Sequence, residues 1–249
     1  IPYTQERNND ISMRAFVITI PDHKESNQAA NKCIESHFRL HSSTLLPDFF
    51  TIEKFNAVKP EEIYEMMEKY DISWNYPWDA VEHDIKSGLT KRPYNTTNRD
   101  AKIACALSHY KLWKFCADIE SPILVLEHDA FFTKKLRMDL TENNYNIIGI
   151  NDPRGATRKS QDFYDKVMLH REAVIPCPYI DSANVPQGLA GNSAYIIKRE
   201  GAEKMLELVK EYGLWPNDAL MCKQLVGAKL GVTTDFYTRV QGTQSTTTQ

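Results

Sequence analysis

The sequence predicts an α/β fold, a mostly parallel central sheet with helices on both faces, and three observations carry that expectation. Residues 123–126, Ile-Leu-Val-Leu, are aliphatic throughout, the pattern of a strand buried on both faces. Strand and helix signals alternate along the chain, as β/α units require. The 249 residues, 42% of them hydrophobic, suffice for a substantial core. We expect a single domain over residues 1–249, with flexible ends at 1–13 and 243–249 and long loops at 71–100 and 151–185.

Residues 14–20 read as the first strand, closed by Pro21 and Asp22, and the segment up to Leu40 is compatible with a helix. Residues 49–55 resemble a second strand. Residues 60–69 open with Pro60, Glu61 and Glu62, which suit a helix start. The stretch 71–100 then holds Trp74, Tyr76, Pro77, Trp78, Pro93 and Tyr94 among polar residues without periodicity. Such a loop either covers a ligand or is a surface excursion stapled by its tryptophans.

Asp100 is placed to cap a helix over 102–117, where Ile103, Ala106, Leu107, Tyr110 and Lys114 mark one side and Cys105, His109, Leu112 and Cys116 another. A helix apolar around much of its girth is buried. Within it, His109 reads first as a core residue satisfying a backbone group. Residues 145–150 predict another strand, and the polar, basic stretch 151–171 is either a lid or a disordered surface loop. Residues 191–198 read as a strand and 200–212 as an amphipathic helix ended by Gly213. A further helix follows over 216–226, with Asp218 as a favourable charge near its start, then a last strand over 236–240 and a fraying Thr/Gln-rich end.

A formal net charge of −3 excludes a global basic field for nonspecific nucleic-acid binding. The basic cluster Arg154, Arg158, Lys159, Lys166 and Arg171 is local. No apolar run approaches the roughly 20 residues that cross a bilayer, and the first residues lack a signal-peptide core. The chain begins without Met, which leaves room for an upstream segment. Its five cysteines are scattered, odd in number and without C-x-x-C spacing. Cys105 and Cys116 lie about 16 Å apart along their helix, beyond disulfide reach. Reduced core thiols and a cytoplasmic location follow as expectations.

The most specific chemical signal is Glu127-His128-Asp129, directly after the apolar strand. In open α/β sheets ligands bind beyond the C-terminal ends of strands. If the extended conformation persists, Glu127 and Asp129 point to the same side and His128 to the other. Two carboxylates there suit Mg²⁺ or Mn²⁺ bridging to a substrate diphosphate. The earlier Glu82-His83-Asp84 lacks the apolar run and reads as a solvated turn or helix cap.

With these residues in view, the chain resembles glycosyltransferase family 25, the lipopolysaccharide-biosynthesis type. The resemblance rests on Phe16-Val17-Ile18-Thr19-Ile20, Phe55-Asn56-Ala57-Val58, residues 103–109 with Trp113, residues 124–130, Gly191-Asn192-Ser193-Ala194-Tyr195-Ile196-Ile197, Pro216-Asn217-Asp218 and Gln241, in the family's order. It implies a GT-A-like, Rossmann-related fold, a nucleotide-diphosphate sugar donor such as a UDP-sugar, a divalent metal, and inversion at the anomeric carbon. Two positions depart from the family pattern: His128 replaces the middle acid of an acidic triplet, and Lys102 stands where the family carries an acid.

On that resemblance Asp129 and Glu127 hold the metal, while Glu127, Lys102, Asn192 and Ser193 contact the donor. Asp218 serves as the base that takes the acceptor proton, His109 orients the donor, and an Arg or Lys from 154–171 clamps phosphate. The acceptor is a glycan, a protein hydroxyl or a hydroxylated nucleobase. Two competing classes remain: a metal-dependent phosphoesterase or nuclease built on His109, His128, Asp129 and Asp218, and a non-catalytic binding protein on a degenerate transferase fold.

Overall fold

In the computed structural model, residues 13–41, 50–156 and 159–242 are described. Phe49, Arg158 and the expected flexible ends, apart from Met13, lie outside the described residues.

The chain opens with β1 (Arg14–Thr19), which is buried after its first residue. Helix α1 (Lys24–His41) follows, with Glu25 in its first turn and Arg39 in its last, complementing the helix dipole. Strand β2 (Ile52–Asn56) leads through a 3₁₀ turn at Pro60–Glu62 into α2 (Ile63–Tyr70). Next come a short hairpin of β3 (Glu82–Asp84) and β4 (Leu89–Lys91), then the long helix α3 (Arg99–Ile119). Strand β5 (Ile123–Glu127) is the aliphatic run, followed by β6 (Ala130–Phe132), β7 (Ile147–Gly149), α4 (Ser160–Val167) and β8 (Val174–Pro176). The chain continues through β9 (Ala194–Ile197), α5 (Arg199–Tyr212), α6 (Asn217–Leu220), α7 (Lys223–Val226), β10 (Leu230–Thr233) and β11 (Thr238–Val240).

Seven strands form one sheet in the order β2-β1-β5-β9-β7-β10-β8. β1 is parallel to β2 and β5, and β7 is parallel to β10, whereas β9 is antiparallel to β5 and β7, and β8 to β10. Five strands therefore share a direction, which bears out the mostly parallel α/β expectation. Alternate residues of β5 feed two cores. Ile123 and Val125, with Phe16, Ile18, Tyr195 and Ile197, share a core with Leu107 and Trp113 of α3 and Met205 and Leu208 of α5. Leu124 and Leu126, with Ala15, Val17 and Ile196, share the other with Ala30 and Cys33 of α1. Each fully buried Leu, Ile, Val or Met among them contributes about 1.5–3 kcal/mol.

Several local expectations are corrected. Asn98, not Asp100, caps α3, since its side-chain oxygen accepts from Ala101 N at 3.2 Å. The 71–100 stretch contains the β3–β4 hairpin, so Glu82-His83-Asp84 is a strand rather than a turn or cap, with Glu82 paired to buried Lys91 at 2.8 Å. The 151–185 stretch holds α4 and β8, and Phe163 and Val167 seat α4 in the core, which corrects the disordered-loop reading. The 216–226 helix is two short helices separated by Met221 and Cys222. The 236–240 strand begins at Thr238 and pairs with β6 outside the central sheet. β10 was not foreseen: Gly231 breaks its aliphatic pattern because the Tyr145 ring fills the space a Cβ would take.

Candidate active site

Lys102, Cys105, His109 and Trp113 recur at helical spacing on one face of α3, a stripe about 16 Å long. At its C-terminal end, Trp113 Nε1 donates to the Tyr195 hydroxyl at 2.9 Å. The same hydroxyl lies 2.8 Å from His109 Nδ1, and His109 Nε2 lies 3.2 Å from Glu127 Oε1. Indole N–H can only donate, so the tyrosine oxygen accepts from Trp113, and a carboxylate can only accept, so the proton on Nε2 faces Glu127. Trp113, Tyr195 and His109 are fully buried. His109 is thus a core residue, as expected, but its partners are side chains rather than a backbone group.

Glu127 ends β5, and its backbone N–H donates to the Ser193 carbonyl at 2.8 Å. Burial works against its charge, but the His109 hydrogen bond and charge, with Lys102 and His128 beyond, outweigh it and hold the carboxyl below its usual range. The extended conformation stops there, because His128 and Asp129 form the turn between β5 and β6. The alternation argument for a shared side therefore does not apply. The two acids are nonetheless close in electrostatic terms: burial, then the Glu127 charge, raises the Asp129 carboxyl above its usual range. Gln241 pins this turn. Its backbone N–H donates to Asp129 O at 2.8 Å, and its side-chain amide faces the carbonyls of Ala29, His128 and Ala130 at 2.9, 3.3 and 3.1 Å.

Toward the other end of the stripe, Cys105 Sγ lies 3.8 Å from Asn217 Oδ1, and Lys102 Nζ lies 4.0 Å from Asp218 Oδ1. Lys102 also stands 4.2 Å from the Tyr94 ring centre. Its side chain is 7% exposed against 47% for Asp218. Burial opposes the ammonium charge, yet Asp218, with Cys105 and Tyr94, keeps its pKa above the usual value. Beside Asp218 opens a cavity of about 640 Å³ lined by Tyr76, Arg92, Tyr94, Lys159 and Asp181 among others.

Of the residues singled out in the sequence, Glu127, His109 and Ser193 meet at the end of β5, and Lys102 meets Asp218 further along α3. Asn192 sits just before β9, with its amide nitrogen 3.8 Å from Met221 Sδ. Within the 154–171 stretch, Arg154 is engaged with Asp152, and Lys159 with Asp181. Sequence reasoning missed the roles of Tyr195, Trp113, Gln241 and Arg92. One signal was available for Tyr195: a phenol inside an otherwise aliphatic strand needs a buried partner.

Asp129 Oδ1, Asn192 Oδ1, Ser193 Oγ and Gln241 Oε1 are buried and have no hydrogen-bond partner among the described residues. The orphaned Asp129 oxygen and the Glu127 carboxylate are hard oxygen donors, the chemistry that fits Mg²⁺ or Mn²⁺. Cys105, His109 and Glu127 also bring one ligand atom each within 4.8 Å of one another. That trio fits a metal less well: burial pushes the Cys105 thiol up to about 12, and both His109 nitrogens are already engaged.

The model of glycosyltransferase family 25 (LPS biosynthesis protein) matches residues 13–221. The chain belongs to this family. Membership makes it a glycosyltransferase, as the ordered motifs led us to expect. No curated protein matches the chain. Among solved structures, it is similar to mouse xyloside xylosyltransferase 1 in its apo form, at 10% identity and a TM-score of 0.37, over 87% of this chain and 80% of that one. It is similar to an active-site mutant of LgtC, at 14% identity and a TM-score of 0.37, over 89% and 72%. A third similarity is to the apo bifunctional glycosyltransferase WbbM, at 9% identity and a TM-score of 0.44, over 94% of this chain and 39% of that one. Among the described residues, no helix is long and apolar enough to cross a membrane.

Proposed function

We propose that this family 25 member, acting as one domain, moves a sugar from a nucleotide-diphosphate sugar, with a UDP-sugar as the working donor, to an acceptor hydroxyl with inversion at the anomeric carbon. The observation that carries the reading is the α3 stripe. His109 engages Glu127 and Lys102 engages Asp218, and these two helix positions are about 10 Å apart along the axis. That separation is on the scale of a sugar ring, which suits a direct displacement with a leaving-group end and an acceptor end.

Asp129 and Glu127 would hold Mn²⁺ or Mg²⁺. When bound, the ion neutralises the charge that grows on the departing diphosphate. Asn192 and Ser193, whose side-chain oxygens are orphaned and whose backbone meets Glu127 at the Ser193 carbonyl, would bind donor hydroxyls. His109 fixes the Glu127 carboxylate through Nε2 and so orients the donor indirectly. Asp218, half exposed and beside Lys102, would accept the proton of the attacking hydroxyl. Lys102 keeps that carboxylate turned toward the cavity. The free thiols of all five cysteines support a reducing, cytoplasmic setting.

A phosphoesterase centre would need His109 available to a metal or substrate, and both its nitrogens are bonded within the protein. The Lys102 departure, which favoured a degenerate binding protein, finds a use in its contact with Asp218. The test is a transfer assay with the product read by NMR. Wild type should yield the anomer opposite to that of the donor, and Asp218→Asn should bind UDP normally yet lose transfer. Retention of configuration, or an active Asp218→Asn, would overturn the reading.

A further inference from the structure

The cavity beside Asp218 is unevenly charged. Arg92, just after β4, and Lys159, just before α4, converge on one oxygen of Asp181: Arg92 Nη1 lies 3.2 Å and Lys159 Nζ 2.8 Å from Asp181 Oδ2. The other oxygen, Oδ1, accepts from Ser182 N at 2.8 Å and Ser182 Oγ at 3.3 Å. Asp181 is therefore saturated, and two cations share a single negative charge. Both remain within reach of a ligand, with side chains 58% and 38% exposed. The cavity's other carboxylate, Asp218, already has Lys102 at 4.0 Å. One positive charge is left over at the Arg92 and Lys159 end.

The volume of about 640 Å³ falls within the usual range for small-molecule sites, roughly 300–1,000 Å³. Tyr76 and Tyr94 add aromatic surface, on which the C–H face of a sugar ring packs well. Guanidinium and ammonium groups recognise carboxylates and phosphates by charge-assisted hydrogen bonds. Neither Glu127 nor Asp129 lines the cavity, which separates it from the end assigned to the donor diphosphate.

We propose that this cavity is the acceptor site and that it selects an anionic glycan, a sugar carrying a carboxylate or phosphate that meets Arg92 and Lys159 while its reacting hydroxyl meets Asp218. The proposal rests on the reading of Asp218 as the acceptor-side base. It narrows the acceptor from any hydroxyl to acidic carbohydrate.

The experiment is donor-free binding of matched sugar pairs to the full chain: p-nitrophenyl β-glucoside against β-glucuronide, β-galactoside against β-galacturonide, and glucose against glucose 6-phosphate. In at least one pair the acidic member should bind about tenfold more tightly. The uronide and phosphate pairs show which anion the site takes. In the Arg92→Gln/Lys159→Gln double variant that preference should vanish while Mn²⁺-dependent UDP binding stays at the wild-type level. No preference in any pair, no binding of any sugar, or a preference that survives the double substitution would overturn the proposal. Loss of UDP binding in the double variant would also overturn it and reassign the two cations to the donor. Absence of UDP binding in wild type beside a clear acidic preference would instead remove the donor reading and leave this site standing.

Discussion

The His109 ring, wholly inside the core, touches Glu127 at 3.2 Å through Nε2 and the Tyr195 hydroxyl at 2.8 Å through Nδ1, so the carboxylate at the end of the central strand is held from within. Its support continues to Trp113, whose indole donates to the same hydroxyl.

Tyr195→Phe removes that hydroxyl and strands two buried nitrogens. Leaving a buried group unpaired costs about 1–3 kcal/mol, which for a chain of this size lowers Tm by about 2–4 °C for each kcal/mol. Calorimetric melting checks it, and an unchanged Tm would refute the hydrogen-bond chain.

Lys102→Met tests the other end. Asp218 is 47% exposed and can turn to water when its partner goes, so stability should change by no more than about 1 kcal/mol. Transfer should suffer, with kcat and kcat/KM falling together because the carboxylate loses its orientation. Steady-state kinetics beside a melting curve separate the two effects. A large loss of stability, or unaltered kinetics, would contradict the assignment.

How much of this was legible in the sequence differs by element. The run at residues 123–126 and the acids after it revealed the central strand and the end where the site lies, because a doubly buried strand is written in contiguous aliphatic residues. β9 was found from the same signal, but its antiparallel direction was not, since orientation depends on which strands flank it. β10 was hidden by Gly231, whose value lies in the Tyr145 ring packed over it. The stripe on α3 was half visible. Cys105 and His109 stood on one side by spacing, whereas the contacts of Lys102 with Asp218 and of Trp113 with Tyr195 join residues far apart in sequence. The turn at His128 and Asp129 also escaped, because alternation holds only while the strand continues.

Gly188→Ala probes the cavity wall. An added Cβ would overlap the Met221 carbonyl oxygen, so the segment carrying Asp218 must shift. Overpacking of this kind costs about 1–3 kcal/mol. Acceptor KM should rise more than donor KM. Equal effects on both substrates would detach the cavity from the acceptor.

The thiols offer an independent check of burial. Burial pushes Cys33, Cys105, Cys116 and Cys177 up to about 12 and Cys222 up to about 11, with neighbouring acids adding to the effect at Cys33, Cys105 and Cys116. Thiolate is the reactive form, so at pH 8 the native chain should resist a disulfide reagent such as DTNB, while all five thiols react in denaturant. Rapid labelling of the native protein would contradict the packing.

The account stands or falls on the acid pair, and calorimetric titration of UDP into wild type and Asp129→Asn, with Mn²⁺ and with chelator, addresses it directly. We predict UDP binding that requires Mn²⁺ in wild type and is lost in a variant that melts like wild type. UDP binding that is equally tight with chelator, or undiminished in Asp129→Asn, would contradict it.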